Sequence, residues 1–210
     1  APGGILRGIL AVVLVVSAVW PGYIAFKFGA APGISPTRIV YWGLVLLWLF
    51  WLAASPTLRV HLFAQWGRFK VLHVAFAIYF LWLLVTALAS ENTFASIYYL
   101  VKLLLGAYIF YLIVLSVLRN ADDVERLVTW IVVAAALVSL IGIAEGFRKA
   151  NLFSALFPRD AEQAEALAWI VLDKTRGGAY RVASTFTHPL AMAEYLTMCL
   201  PLAAYLFVNG

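Results

Sequence analysis

VLHVAFAIYFLWLLVTALA, running from Val71 to Ala89, contains no Asp, Glu, Lys or Arg. A helical run of about 18 or more apolar residues covers the roughly 30 Å hydrocarbon layer of a bilayer, at about 1.5 Å per residue. No water is present at that depth to satisfy an exposed peptide group. Such a run must therefore close its hydrogen bonds internally, as a helix does. Similar runs flank it, at about Ile5–Tyr23, Arg38–Ala54, Ser96–Leu118, Leu127–Ala144 and His188–Val208. Pro21-Gly22, Pro32-Gly33 and Ser55-Pro56 punctuate the gaps between the early runs. The whole chain of 210 residues is 65% hydrophobic and 12% charged, whereas a soluble domain is about 45–50% apolar and about 25% charged. The expected fold is all-α: a polytopic transmembrane helix bundle of about six spans, with one long external loop containing a short amphipathic helix. Its organisation is five spans in residues 1–144, the loop in 145–187 and the sixth span in 188–210.

The first run is read as a retained span rather than a signal peptide, because it is longer than a signal core and more spans follow it. Short-loop charge sets the orientation. Arg59, Arg68 and Lys70 lie between spans two and three, Arg119 and Arg126 between spans four and five, and Arg7 on the same side. The opposite side carries Lys27 and Arg38, and no Lys or Arg in residues 90–95. By the positive-inside rule the basic side is cytoplasmic, which puts the N-terminus inside and the long loop outside. The net charge of +5 then reports loop bias and not a nucleic-acid partner. The single cysteine, Cys199, excludes an internal disulfide. No metal or cofactor is expected.

The loop breaks the charge rule. It carries Arg148, Lys149, Arg159, Lys174, Arg176 and Arg181 against Glu145, Asp160, Glu162, Glu165 and Asp173. Asp160 is placed to cap a helix, with Gln163 three residues on. Ala161, Ala164, Leu167, Ala168 and Val171 recur at helical spacing, and Gly177-Gly178 would end the element. The stretch YRVASTFTHPL follows, from Tyr180 to Leu190. Pro189 suits the first turn of a helix, where its missing N–H is not needed, with Thr187 or His188 as the cap. The open N–H groups of that helix end attract anions. Arg181 lies just upstream, and its planar fork suits phosphate. His188 can cap the helix or move a proton near neutral pH. Lys102 in span four and Glu194 in span six both fall roughly 10 Å below the outer surface at about 1.5 Å per residue. Ionisable groups at such depth are commonly paired or functional, so Lys102 and Glu194 are candidates to pair, the alternative being separate snorkelling and loop contacts.

Arg181-Val-Ala-Ser-Thr-Phe-Thr-His-Pro189, followed by Leu-Ala-Met-Ala-Glu-Tyr-Leu and Leu200-Pro201-Leu202, resembles the signature of the O-antigen ligase and polymerase-like membrane proteins. The chain departs from the pattern at Ala183-Ser184, where many members carry a glycine. Members are longer, with further spans and a second external loop bearing another arginine and a histidine, so the chain is similar to the N-terminal half of such a protein. The resemblance implies glycosyl transfer at the periplasmic face, from undecaprenyl diphosphate to an acceptor hydroxyl. It implies Arg181 as the diphosphate contact, with Arg176 and Lys102 as weaker candidates. His188 would be catalytic or shape the helix end, and Glu194 and Tyr180 would be buried polar support. The implied partners are membrane lipid, the lipid-linked glycan and a partner membrane protein. Two other classes stay open. A non-catalytic accessory subunit would use the tryptophans around Trp42, Trp48 and Trp51 against a partner. A transporter or flippase fragment would need polar stripes and broken helices at the midplane, which the spans lack apart from Pro201.

Overall fold

The structure, a computed structural model, describes residues 2–26, 33–156, 175–176 and 178–209. Its helices are α1 (Pro2–Val19), α2 (Pro36–Ala54), α3 (Pro56–Arg68), α4 (Lys70–Leu88), α5 (Thr93–Leu103), α6 (Ile109–Val117), α7 (Ala121–Arg148) and α8 (Pro189–Asn209). A π-helical turn, Leu104–Tyr108, joins α5 to α6 into one continuous rod. Two short strands, β1 (Thr175–Arg176) and β2 (Ala179–Tyr180), form an antiparallel hairpin that pairs Thr175 with Tyr180 and Arg176 with Ala179. The fold is all-α, as expected. Five helical rods are long and apolar enough to cross a membrane: Pro36–Ala54, Lys70–Leu88, Thr93–Val117, Ala121–Arg148 and Pro189–Asn209. This is a multi-pass membrane protein.

Three details differ from the sequence reading. The first run is a shorter apolar helix that stops at Val19 and does not reach Tyr23. Pro21 disfavours helix at the residue before it and offers no N–H, so the turn begins at Trp20. The connection between spans two and three is a helix, α3. Its N-cap is Ser55, whose hydroxyl accepts from Leu58 N–H, and Pro56 occupies the first helical position. Lastly, α7 continues past Ala144 to Arg148, so Glu145 is a helical residue and not the start of the loop. The amphipathic helix expected around Asp160–Val171 lies outside the described residues.

The chain divides into two compact units, Ala1–Arg7 with Gly43–Asn120 and Gly8–Trp42 with Ala121–Gly210. In the first, α3 packs on α4 and α6, and α4 packs on α5. Arg59 donates to the Ala53 and Leu52 carbonyls at 2.6 and 3.1 Å, closing the C-terminal end of α2. His61 Nε2 donates to the Leu118 carbonyl at 3.1 Å, just past the end of α6. His73 is buried and lies flat on Trp66, ring centroids 4.2 Å apart, with Phe76, Tyr108 and Tyr111 around the same group.

One buried link ties α2 to α6. Trp48 Nε1–H donates to Ser116 Oγ at 2.9 Å, and Ser116 donates onward to the Ile113 carbonyl at 2.7 Å. Ser116→Ala removes little volume but leaves the buried indole N–H without its acceptor. Such an orphan costs about 1–3 kcal/mol, and each kcal/mol shifts the melting point of a protein this size by about 2–4 °C. Thermal unfolding of the detergent-solubilised protein is expected to show a drop in that range. An unchanged midpoint would refute the role of this link.

The second unit has a core of Ala18, Ala134 and Val138, packed against Val15, Phe186, Met192, Tyr195 and Leu196. Small residues let helices approach closely inside a membrane, where apolar burial alone does not drive association. Asp122 and Asp123 occupy the first turn of α7, complementing its dipole. After Arg148 the chain turns at Lys149, whose φ of 50° is the left-handed conformation that stops a helix.

Candidate functional site

The segment after β2 does not remain at the protein surface. Ala183, Ser184 and Thr185 are 0, 0 and 4% exposed. Ser184 Oγ donates to the Val138 carbonyl at 2.9 Å, and Thr185 Oγ1 donates to the Ala18 carbonyl at 2.6 Å. A turn closes between them and α8, Phe186 N–H to Ala183 O at 2.9 Å. Val138 lies ten residues inside the Arg148 end of α7, roughly 15 Å along the helix at about 1.5 Å per residue. The segment is buried beside α7, where irregular backbone is tolerated because protein surrounds it and hydrogen bonds anchor it. Ser184 adopts φ 52°, the left-handed region that favours glycine. The hydroxyl bond to the Val138 carbonyl helps hold serine in that conformation.

Glu145 braces the same segment from α7. It is fully buried, 0% exposed. Tyr180 Oη–H donates to its Oε1 at 2.7 Å, and the Ala183 N–H donates to the same oxygen at 3.2 Å. Between those two anchors sit Arg181 and Val182. Val182 rests on a glycine-floored groove: a Cβ added at Gly142 or Gly146 would lie 3.3 Å from its methyl groups. Glu145 therefore sits between two glycines of one helix, in the sequence Gly142-Ile-Ala-Glu-Gly146.

Two tyrosines complete the polar cluster. Burial pushes the Tyr180 hydroxyl well above the usual tyrosine range, and the hydrogen bond to Glu145 pushes it the same way. Burial also raises Tyr23; the bond from Asn151 opposes this and the charge of Glu145 adds to it. Asn151 Nδ2–H donates to Tyr23 Oη at 3.2 Å, while its Oδ1 accepts from Phe153 N–H at 2.8 Å. Tyr180 is a neutral donor at any physiological pH, as a carboxylate partner requires.

The residues singled out from sequence fare differently. Arg181 is half-buried, and among the described residues its guanidinium has no ion pair or hydrogen bond. His188 acts at the start of α8: its Nδ1 accepts from Leu190 N–H at 3.1 Å, which assigns the proton of the neutral ring to Nε2. Arg176 is in β1, opposite Ala179. Lys102 is exposed on α5, in the first unit. Glu194, expected as buried support, is exposed on α8; the carboxylate that takes this part beneath Tyr180 is Glu145. It was missed because a helix boundary placed at Ala144 left it among solvated loop charges. Among the described residues no three His, Cys, Asp or Glu side chains gather to hold a metal.

Fold and site together define a multi-pass membrane protein with a buried segment before its last helix, braced by Glu145. No protein-family model matches the sequence, no curated protein is significantly similar to it, and no solved structure matches its fold.

Proposed function

We propose that the chain forms the lipid-carrier-binding part of a membrane glycosyltransferase of the O-antigen ligase and polymerase type, with Arg181 as the contact for the diphosphate of an undecaprenyl-linked glycan. The observation that carries this reading is the half-buried Arg181 guanidinium, without an ion-pair partner among the described residues, on a loop whose backbone is fixed on both sides. A half-buried guanidinium with no ion-pair partner among the described residues is suited to a ligand that supplies the negative charge. A diphosphate does so, because the guanidinium fork donates two bonds to it without losing its charge. The positive dipole end of α8 favours the same sign of ligand. In the transfer, the acceptor hydroxyl oxygen bonds to the anomeric carbon as the carbon–oxygen bond to the diphosphate breaks, and the hydroxyl proton passes to the departing diphosphate. Arg181 stabilises the negative charge that accumulates on the leaving diphosphate, the kind of fixed electrostatic help that contributes most to such reactions. His188 is committed through Nδ1 to the α8 cap, so we assign it a shaping role. In this reading the loop faces the periplasm of a bacterial inner membrane, the basic short loops facing the cytoplasm.

The test is equilibrium binding of farnesyl diphosphate to the protein in nanodiscs, with empty nanodiscs as background. Arg181→Ala is expected to weaken binding about tenfold or more, the worth of a charge-assisted bond of about 1.5–3 kcal/mol. Arg181→Lys should not restore it, because an ammonium lacks the planar fork. Arg181→Ala binding as tightly as the wild type, in folded protein, would overturn the assignment.

A further inference from the structure

We infer that Glu145 is the positioning residue of the Arg181 site, holding the arginine's backbone in the ligand-binding geometry through two hydrogen bonds to one carboxylate oxygen. This rests on the diphosphate reading above. Glu145 is in the last turn of α7 and fully buried. A residue there only to fill space would be apolar. What a carboxylate adds is a convergent acceptor, and its two donors, Tyr180 Oη at 2.7 Å and Ala183 N–H at 3.2 Å, bracket Arg181-Val182. The bracket is reinforced on the far side of α7's surface by the Gly142 and Gly146 groove under Val182. Rotation of this four-residue strap about its own axis would break both bonds and lift Val182 out of the groove. The carboxylate thus acts on the ligand through the arginine and does not touch it.

The role separates acceptor geometry from charge. Glu145→Gln keeps an oxygen that accepts both hydrogen bonds. Glu145→Ala removes the acceptor. Tyr180→Phe removes one donor and leaves the ring. In the farnesyl diphosphate assay on the nanodisc-embedded chain, Glu145→Ala is expected to weaken binding about tenfold or more, since a displacement of about 1 Å at a site of this kind can cost up to a hundredfold. Glu145→Gln is expected to bind within about threefold of the wild type, or more tightly because a negative charge near the anion has gone. Tyr180→Phe should fall between them. Melting midpoints of the same samples separate loss of fold from loss of positioning, and weakened binding by Tyr180→Phe, which keeps the ring and removes only the donor to Glu145, is a result that mere filling of space would not produce. If Arg181→Ala weakens binding while Glu145→Ala does not, the inference is overturned and the diphosphate reading stands. If Arg181→Ala leaves binding intact, the diphosphate reading itself fails. Should Glu145→Ala not fold, Tyr180→Phe and Glu145→Gln decide: wild-type binding by the first, or alanine-like loss by the second in folded protein, overturns the inference.

Discussion

Gly142→Val is expected to unseat the buried segment around Val182–Thr185 and lower the melting midpoint of the solubilised protein by about 4–8 °C, which corresponds to about 2 kcal/mol in a chain of this size. Gly142 is buried in α7. A Cβ added there would lie 2.6 Å from Met192 Cε and 3.3 Å from Val182 Cγ1. Two effects oppose each other. A helical glycine is roughly 1 kcal/mol worse than alanine, so any side chain recovers part of that. Overpacking costs about 1–3 kcal/mol. For alanine the nearest atom is the end of a flexible methionine, which can move aside, so Gly142→Ala should come out close to neutral. Valine adds two branches in the direction of Val182, which Glu145 holds from both sides through its neighbours, and nothing there can give way. The overpacking effect wins. Gly146 provides the control: an added Cβ meets only Val182 Cγ2 at 3.3 Å, so Gly146→Ala should leave the midpoint unchanged or raise it. A midpoint for Gly142→Val equal to that of the wild type would show that Val182 is not fixed on this groove.

The membrane spans were legible because their signal is local. Uninterrupted apolar runs such as Val71–Ala89 place a helix to within a residue or two, as α4 at Lys70–Leu88 shows. The helix α3 was not legible by that signal, since Arg59, Gln65 and Arg68 interrupt any apolar run. Its cap, Ser55 followed by Pro56, was nonetheless present and marks a helix start. The stretch from Tyr180 to Pro189 stood out by its residue types, but its depth did not. Ser184 and Thr185 read as loop residues; what draws them inside are backbone carbonyls 46 and 167 residues away in sequence. No local pattern encodes such a partner. Counting residues along a helix placed Lys102 and Glu194 at a common level, but level does not determine face, and both are exposed. The buried carboxylate was Glu145, which composition counted as one more loop charge.

The bond from Thr185 to Ala18 supplies the second large effect. Helix α1 ends at Val19, so the Ala18 carbonyl is among the last four, which have no partner within the helix. Thr185 Oγ1–H fills that need at 2.6 Å in a buried setting. Thr185→Val keeps the shape and removes the donor, leaving a buried carbonyl unsatisfied at a cost of about 1–3 kcal/mol. Thr185→Ser keeps the donor and loses one methyl group, worth about 0.8 kcal/mol. If the hydrogen bond dominates, valine is worse than serine; if packing dominates, the order reverses. Ser184 differs in two respects. Its acceptor, the Val138 carbonyl, lies in the interior of α7 and already receives the helix's own N–H. Its backbone is left-handed at φ 52°, a conformation that costs a non-glycine residue roughly 1–2 kcal/mol. Ser184→Gly therefore loses one bond but relieves that strain, and its midpoint should stay close to the wild type. The expected order of melting midpoints is wild type and Ser184→Gly together, then Thr185→Ser, then Thr185→Val lowest. A Thr185→Val midpoint at or above that of Thr185→Ser would mean that the segment is held at depth by apolar contact and not by capping α1.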